Sequence, residues 1–152
     1  MLVIALDPGN STGYCFRIIN DKDENVVKGL EPGKLYGGTQ PDNHKRVWDL
    51  LEMLVPDVIV YETFQMYPGK AQKLIWNSFY PVEVIGVIKL WAMLHPECKL
   101  VGLQPSVKKF ALANSELELW KTVNIVDGTG KATEHTRDAV RLLRYYERNY
   151  KK

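Results

Sequence analysis

At 152 residues the chain has the size of one domain, long enough to bury most of an independent core. Its apolar fraction of 45% and charged fraction of 25% are those of a globular protein, and no apolar run is long enough to span a bilayer. The 20 basic and 18 acidic residues leave a net charge of +2, which is no nucleic-acid signature by itself. No basic region precedes the first apolar run, which stops at an acid, so it does not read as a signal peptide and a cytoplasmic location is expected.

Leu2 to Leu6 are apolar without a break and run straight into Asp7, with Pro8 and Gly9 reversing the chain behind it. A continuous apolar run bounded by turn residues predicts a strand covered on both faces. The strand then ends on a carboxylate, a costly place for a charge that has no partner. Tyr14 to Ile19 reads as a second strand, Asn20 to Asn25 as a hairpin loop, and Val26 to Gly38 as a third extended piece broken near Pro32-Gly33. Pro41-Asp42 announces a helix with Asp42 as its N-cap; Val47, Leu50, Leu51 and Leu54 share one face, and Pro56 ends it. Asp57 to Glu62 repeats the opening theme, an apolar strand that finishes on an acid. Strand, crossover helix and second buried strand make a βαβ unit, expected to be parallel and right-handed. If the two strands are neighbours, Asp7 and Glu62 stand side by side.

Residues 63–80 are rich in aromatics (Phe64, Tyr67, Trp76, Phe79, Tyr80) and carry Lys70 and Lys73. Val82 to Leu94 is a helical pattern that is apolar nearly throughout, expected to be buried against a sheet or a partner chain. Lys99 to Leu103 reads as a last short strand, and Gln104-Pro105-Ser106 opens a helical turn into Val107-Lys108-Lys109-Phe110. Leu117, Leu119 and Trp120 suggest a short helix, and Asp127-Gly128-Thr129-Gly130 a loop. The final helix starts at Thr133 or Glu134 and runs to about Asn149. Ala139, Leu142, Leu143 and Tyr146 form its buried stripe, and Arg137, Arg141, Arg144 and Arg148 its opposite side. His135 and Asp138, three apart, share a face at the edge of that stripe. Cys15 and Cys98 have no metal-like spacing and read as free thiols of a reducing compartment.

Asp7, Glu62, Asp138 and His135 therefore converge where open α/β sheets place their sites, beyond the carboxyl ends of the strands. Three carboxylates in one place need protons or a cation. An oxygen-rich set suits Mg²⁺ or Mn²⁺ rather than Zn²⁺, and two such ions roughly 4 Å apart can clamp a phosphodiester. Taken singly, each signal has an ordinary explanation: a turn, a solvated strand end, an acid favoured by a helix dipole. Their agreement carries the functional reading.

The sequence resembles the RuvC-like Holliday junction resolvases, within the ribonuclease H-like nuclease superfamily, over nearly its whole length. The likeness lies in Ala5-Leu6-Asp7-Pro8-Gly9 with Thr12-Gly13-Tyr14, in Val60-Tyr61-Glu62, in Gln104-Pro105-Ser106-Val107-Lys108-Lys109, and in His135-Thr136-Arg137-Asp138-Ala139. It implies an α/β, ribonuclease H-like fold in a single domain, residues 1–152, with a mixed five-stranded sheet (three antiparallel strands, then two parallel) flanked by helices. It further implies a metal-dependent, structure-selective endodeoxyribonuclease that resolves Holliday junctions or other branched DNA by two-metal hydrolysis. Asp7, Glu62 and Asp138 match acids that hold two Mg²⁺ or Mn²⁺ ions, and His135 matches the fourth catalytic and metal-binding position. Lys108 matches a basic residue near the scissile phosphate, and Phe64, Tyr67, Lys70, Lys73 and Lys109 are further candidate DNA contacts. The family acts as a homodimer, for which the apolar helix 82–94 is a candidate surface; no membrane partner is implied. Two departures stand out. The turn after Asp7 is one residue shorter than in the bacterial enzymes, nearer the compact phage-type relatives, which would place the protein in a host cytoplasm. The position of the family's wedging aromatic is Gln65. The alternatives are a same-fold nuclease acting on RNA or RNA–DNA hybrid, and a non-catalytic DNA-binding module. An actin-like ATPase would need a second similar half.

Overall fold

In the computed structural model, which describes residues 1–19, 31–35, 39–66, 79–110 and 134–150, the opening apolar run is a central strand, β1 (Leu2–Asp7). It pairs antiparallel with β2 (Thr12–Ile18), which pairs antiparallel with β3 (Glu31–Leu35). After α1 (Gln40–Leu54) the chain enters β4 (Val58–Glu62), parallel to β1 on its other side. After α2 (Tyr80–Leu94) it enters β5 (Lys99–Leu103), parallel to β4. The sheet order is β3-β2-β1-β4-β5, and the described chain closes with α3 (Glu134–Tyr150).

Alternation along the strands sorts the core into two layers, since successive side chains of a strand point to opposite faces. Val3 and Ala5 of β1 join Val58 and Val60 of β4 against Ala139, Leu142, Leu143 and Tyr146 of α3. Ile4, Leu6, Ile59 and Tyr61 take the other face, against Val47 and Leu51 of α1 and Val84, Ile88 and Trp91 of α2. A sheet with helices on both faces explains why β1 and β4 read as continuous apolar runs. Cys15 lies in the first layer and Cys98 in the second, both buried as free thiols. Burial pushes the Cys98 thiol up to about 11, which keeps it protonated and inert at neutral pH.

Several expectations are corrected. The ladder of β3 runs through Pro32 and Gly33 without a break, which an edge strand tolerates because one side of it needs no partner. Asp42 is not the N-cap of α1. That place belongs to Thr39, whose N–H and hydroxyl donate to Asp42 Oδ2 at 2.7 and 2.8 Å, so the acid reaches back from the third helical position. At its other end α1 stops on Val55, in the left-handed region at φ 43°, with its N–H donating to Leu51 O at 2.8 Å, just ahead of Pro56. The helix expected from Val82 begins at Tyr80, with Pro81 in its first turn, where a missing N–H costs nothing. As expected, α2 is buried against the sheet, through Val84, Ile85, Ile88, Trp91 and Ala92, while Val82, Leu90, Met93 and Leu94 are exposed.

The arginine side of α3 is not a row of unengaged charges. Arg141 pairs with Asp138 at 2.6 Å, and Arg144 pairs with Glu147 at 3.0 Å. Glu147 also takes Arg17 of β2 at 2.7 Å, which ties α3 to the sheet. No helix among the described residues is long and apolar enough to cross a membrane. The suggested hairpin loop at 20–25, the short helix near 117–120 and the loop at 127–130 lie outside the described residues.

Candidate active site

Strand parity decides where the two strand-ending acids point. Residues 3, 5 and 7 of β1 share one face, as do residues 58, 60 and 62 of β4, and the buried members of both series pack beneath α3. Leu6 lies opposite Tyr61 in the parallel register, so Asp7 and Glu62 follow at the same level of the sheet edge. Asp7 is buried and Glu62 half-buried.

The first turn of α3 comes down onto this edge because of one missing side chain. Gly13 stands opposite Asp7 in the β1–β2 register, and a Cβ on it would lie 2.1 Å from His135 O. Only glycine lets α3 start so close to the sheet. His135 Nδ1 then reaches Asp7 Oδ2 at 2.8 Å, and Asp138, one turn further on, enters the same cluster. The turn behind Asp7 is itself pinned, with Thr12 Oγ1 donating to Gly9 O at 3.4 Å and the buried Asn43 of α1 donating from Nδ2 to Asn10 O at 3.1 Å.

A fourth element supplies the counter-charge. Beyond β5 a 3₁₀ turn, Pro105–Phe110, carries Lys108 over the ends of β1 and β4. Its ammonium lies 2.5 Å from Glu62 Oε2, 2.6 Å from Asp138 Oδ2 and 3.5 Å from Asp7 Oδ1. Arg141 covers the other oxygen of Asp138. The cation that three carboxylates require is thus a lysine of the chain itself. Its place could be suspected from the sequence only by laying β5 next to β4, which brings the end of a third parallel strand to the same edge.

Burial raises the carboxyl of Asp7 above the ordinary range, and Lys108 and His135 only partly pull it back. Burial also raises Glu62, with Lys108 lowering it and the charge of Asp7 raising it further. For Lys108 burial works against the charged form, yet the close contacts with Asp138 and Glu62 and the charge of Asp7 outweigh it and raise its pKa. All three groups therefore hold protons more tightly than they would in water.

By chemistry the donor set fits a hard divalent ion: three carboxylates, one imidazole, no thiolate. Glu62 Oε2 is buried and, despite its close ion pair with Lys108, has no hydrogen bond. Among the described residues, however, no three of the acids, histidines and cysteines stand as a group that could hold an ion, and Lys108 lies between the three acids.

Beside Glu62 opens a cavity of about 260 Å³, walled by Pro8, Phe64, Pro81 and Pro105 with Thr63 and Gln65 at its edge. Phe64 packs edge-on against Phe79 with ring centroids 5.8 Å apart. Gln65 and Lys109 are exposed. Tyr67, Lys70 and Lys73 lie outside the described residues.

No protein-family model and no curated protein matches the sequence. Solved structures do match in fold. RuvC of Thermus thermophilus in complex with a Holliday junction substrate superposes with a TM-score of 0.67 at 20% identity, over 97% of this chain and 95% of that one. The fowlpox virus resolvase in complex with Holliday junction DNA gives 0.64 at 16% identity, over 96% and 99%. The yeast mitochondrial Holliday junction resolvase gives 0.54 at 14%, over 96% and 77%. The chain has the α/β fold of the RuvC-like resolvases along nearly its entire length.

Proposed function

We propose that the protein is a metal-dependent, structure-selective endonuclease that resolves four-way or otherwise branched DNA by hydrolysing phosphodiester bonds. The observation that carries this is the meeting of Asp7, Glu62 and Asp138 around one ammonium, with His135 on Asp7, at the carboxyl end of a parallel strand pair. Asp7, Glu62 and Asp138 would hold two Mg²⁺ or Mn²⁺ ions, with His135 as a further ligand. When bound, such ions supply a more acidic attacking water and charge stabilisation at the phosphorus.

The chain's own groups have distinct parts. A carboxylate can only accept, so the 2.8 Å contact to Asp7 assigns the proton of His135 to Nδ1 and leaves Nε2 as the basic nitrogen. The Nε2 lone pair can serve an ion or take a proton from the attacking water, but not both at once. Lys108 has a four-carbon stem and three donors, suited to a non-bridging phosphate oxygen. The cavity beside Glu62, with Phe64 as one wall, can receive an unpaired base next to the scissile phosphate. Symmetric cutting of two strands calls for two copies of the site, and the exposed Val82, Leu90, Met93 and Leu94 support pairing of two chains through α2.

The deciding experiment compares four-way junction, flap DNA, RNA–DNA hybrid and structured RNA as substrates in Mg²⁺, for the wild type and Asp7→Asn. Junction cleavage that disappears in Asp7→Asn, with junction binding retained, supports the proposal. Undiminished cleavage in that variant sinks it, and cleavage of RNA or hybrid alone moves the activity to the ribonuclease class.

A further inference from the structure

Lys108 stands where an ion would have to stand. Each acid around it has an oxygen already committed or an oxygen turned toward the lysine. Asp7 gives Oδ2 to His135 and turns Oδ1 to Lys108; Asp138 gives Oδ1 to Arg141 and turns Oδ2 to Lys108. Glu62 Oε2 faces the same ammonium. The three oxygens best placed to share a cation are the three that Lys108 already holds. A divalent ion binding them at roughly 2 Å would sit within contact of the ammonium, where two positive charges repel strongly in a half-buried site. The lysine and the metal cannot occupy the cluster together.

What would draw the lysine away is also defined by the chemistry. Lys108 rides on a short 3₁₀ turn, not on the sheet, so its side chain can swing out while β1, β4 and α3 keep their places. A new partner must be anionic to replace three carboxylates, and the anion that a nuclease brings to this edge is the phosphate of its substrate. We infer that Lys108 is a resident counter-ion that keeps the acid cluster closed to divalent metal until a DNA phosphate takes the ammonium, so that metal uptake and DNA binding are coupled. This rests on the nuclease reading above. The coupling is reciprocal, so metal tightens DNA binding by the same factor as DNA tightens metal binding.

Mn²⁺ binding, measured by calorimetry on the folded protein, tests the inference directly. Lys108→Met keeps the length of the stem and removes the charge. It is expected to bind Mn²⁺ about tenfold more tightly than the wild type without DNA, a usual size for such couplings. In the wild type, a four-way junction with non-cleavable phosphorothioate linkages at its crossover is expected to tighten Mn²⁺ binding by a similar factor. Equal or weaker Mn²⁺ binding by a folded Lys108→Met overturns the role of the lysine while leaving the metal site standing. Absence of Mn²⁺ binding by either protein, with or without the junction, overturns the nuclease reading as well. Should Lys108→Met not fold, the wild-type comparison with and without the junction decides alone: an unchanged affinity rejects the coupling.

Discussion

Asp7, Glu62 and Lys108 all hold protons more tightly in the folded protein than in the unfolded chain, but the consequences for stability have opposite signs. A carboxyl raised by folding favours the fold when protonated. The two acids therefore subtract stability as the pH climbs from their ordinary values of 3.8 and 4.5 through their raised folded values. The lysine contributes stability that is fully present below 10.5 and is lost as the pH rises through its raised folded value. Without the lysine only the penalty remains. Lys108→Met is expected to be destabilised by about 3 kcal/mol at pH 8, as for a buried pair that has lost one partner, with the deficit shrinking toward pH 4. Urea titrations at the two pH values check this; an equal deficit at both would mean that the side chain acts through packing alone.

Two helix ends are set by single residues, one through its backbone and one through its missing bulk. Val55 closes α1 with φ at 43°, a conformation costly for a β-branched residue, and its side chain is exposed. Val55→Gly is expected to raise stability by about 1 kcal/mol, read as a higher denaturation midpoint at unchanged slope. Gly13 does the reverse job for α3. Gly13→Ala forces a Cβ into the backbone of His135, with an expected loss of about 2 kcal/mol and a larger loss of junction cleavage than the stability change explains. Cleavage rates measured well below the melting temperature separate the two effects.

These elements also mark how far the sequence could be read. The apolar runs into Asp7 and Glu62 were legible because strands covered on both faces show no alternation, and His135 with Asp138 because helical spacing places them together. Asp42 misled by three residues because an acid that reaches back from inside a helix looks, in sequence, like one that starts it. The sequence places the start of α2 at Val82, two residues late, because a proline in a first helical turn is locally indistinguishable from one in a turn. That Lys108 belongs near the site was suggested by resemblance, but its ion pairs with three acids and the need for Gly13 were not legible. Both depend on how separate elements pack, and neither leaves a periodic trace.

At the scale of the whole molecule, charge is spent internally more than the composition suggests. Among the described residues Arg17, Arg141 and Arg144 are paired with acids, so these arginines are less available to meet phosphates. Junction binding is expected to weaken with salt, and the exposed Lys109 to contribute one contact to that slope. Lys109→Ala should reduce that slope by about 0.9, measured by fluorescence anisotropy across salt concentrations. An unchanged slope would remove Lys109 from the DNA contacts.

The order in which the cluster's members occur along the chain carries a consequence for synthesis. Asp7, Glu62, Lys108 and Asp138 arrive on four elements, and the last acid belongs to α3. A nascent chain that has emerged only as far as β5 has two acids at the sheet edge, neither the lysine that shields them nor the helix that completes them. Chains halted on the ribosome before Glu134 are therefore expected to leave DNA uncut. Under the proposed nuclease activity, the complete site would meet DNA only once nearly all of the chain has been made.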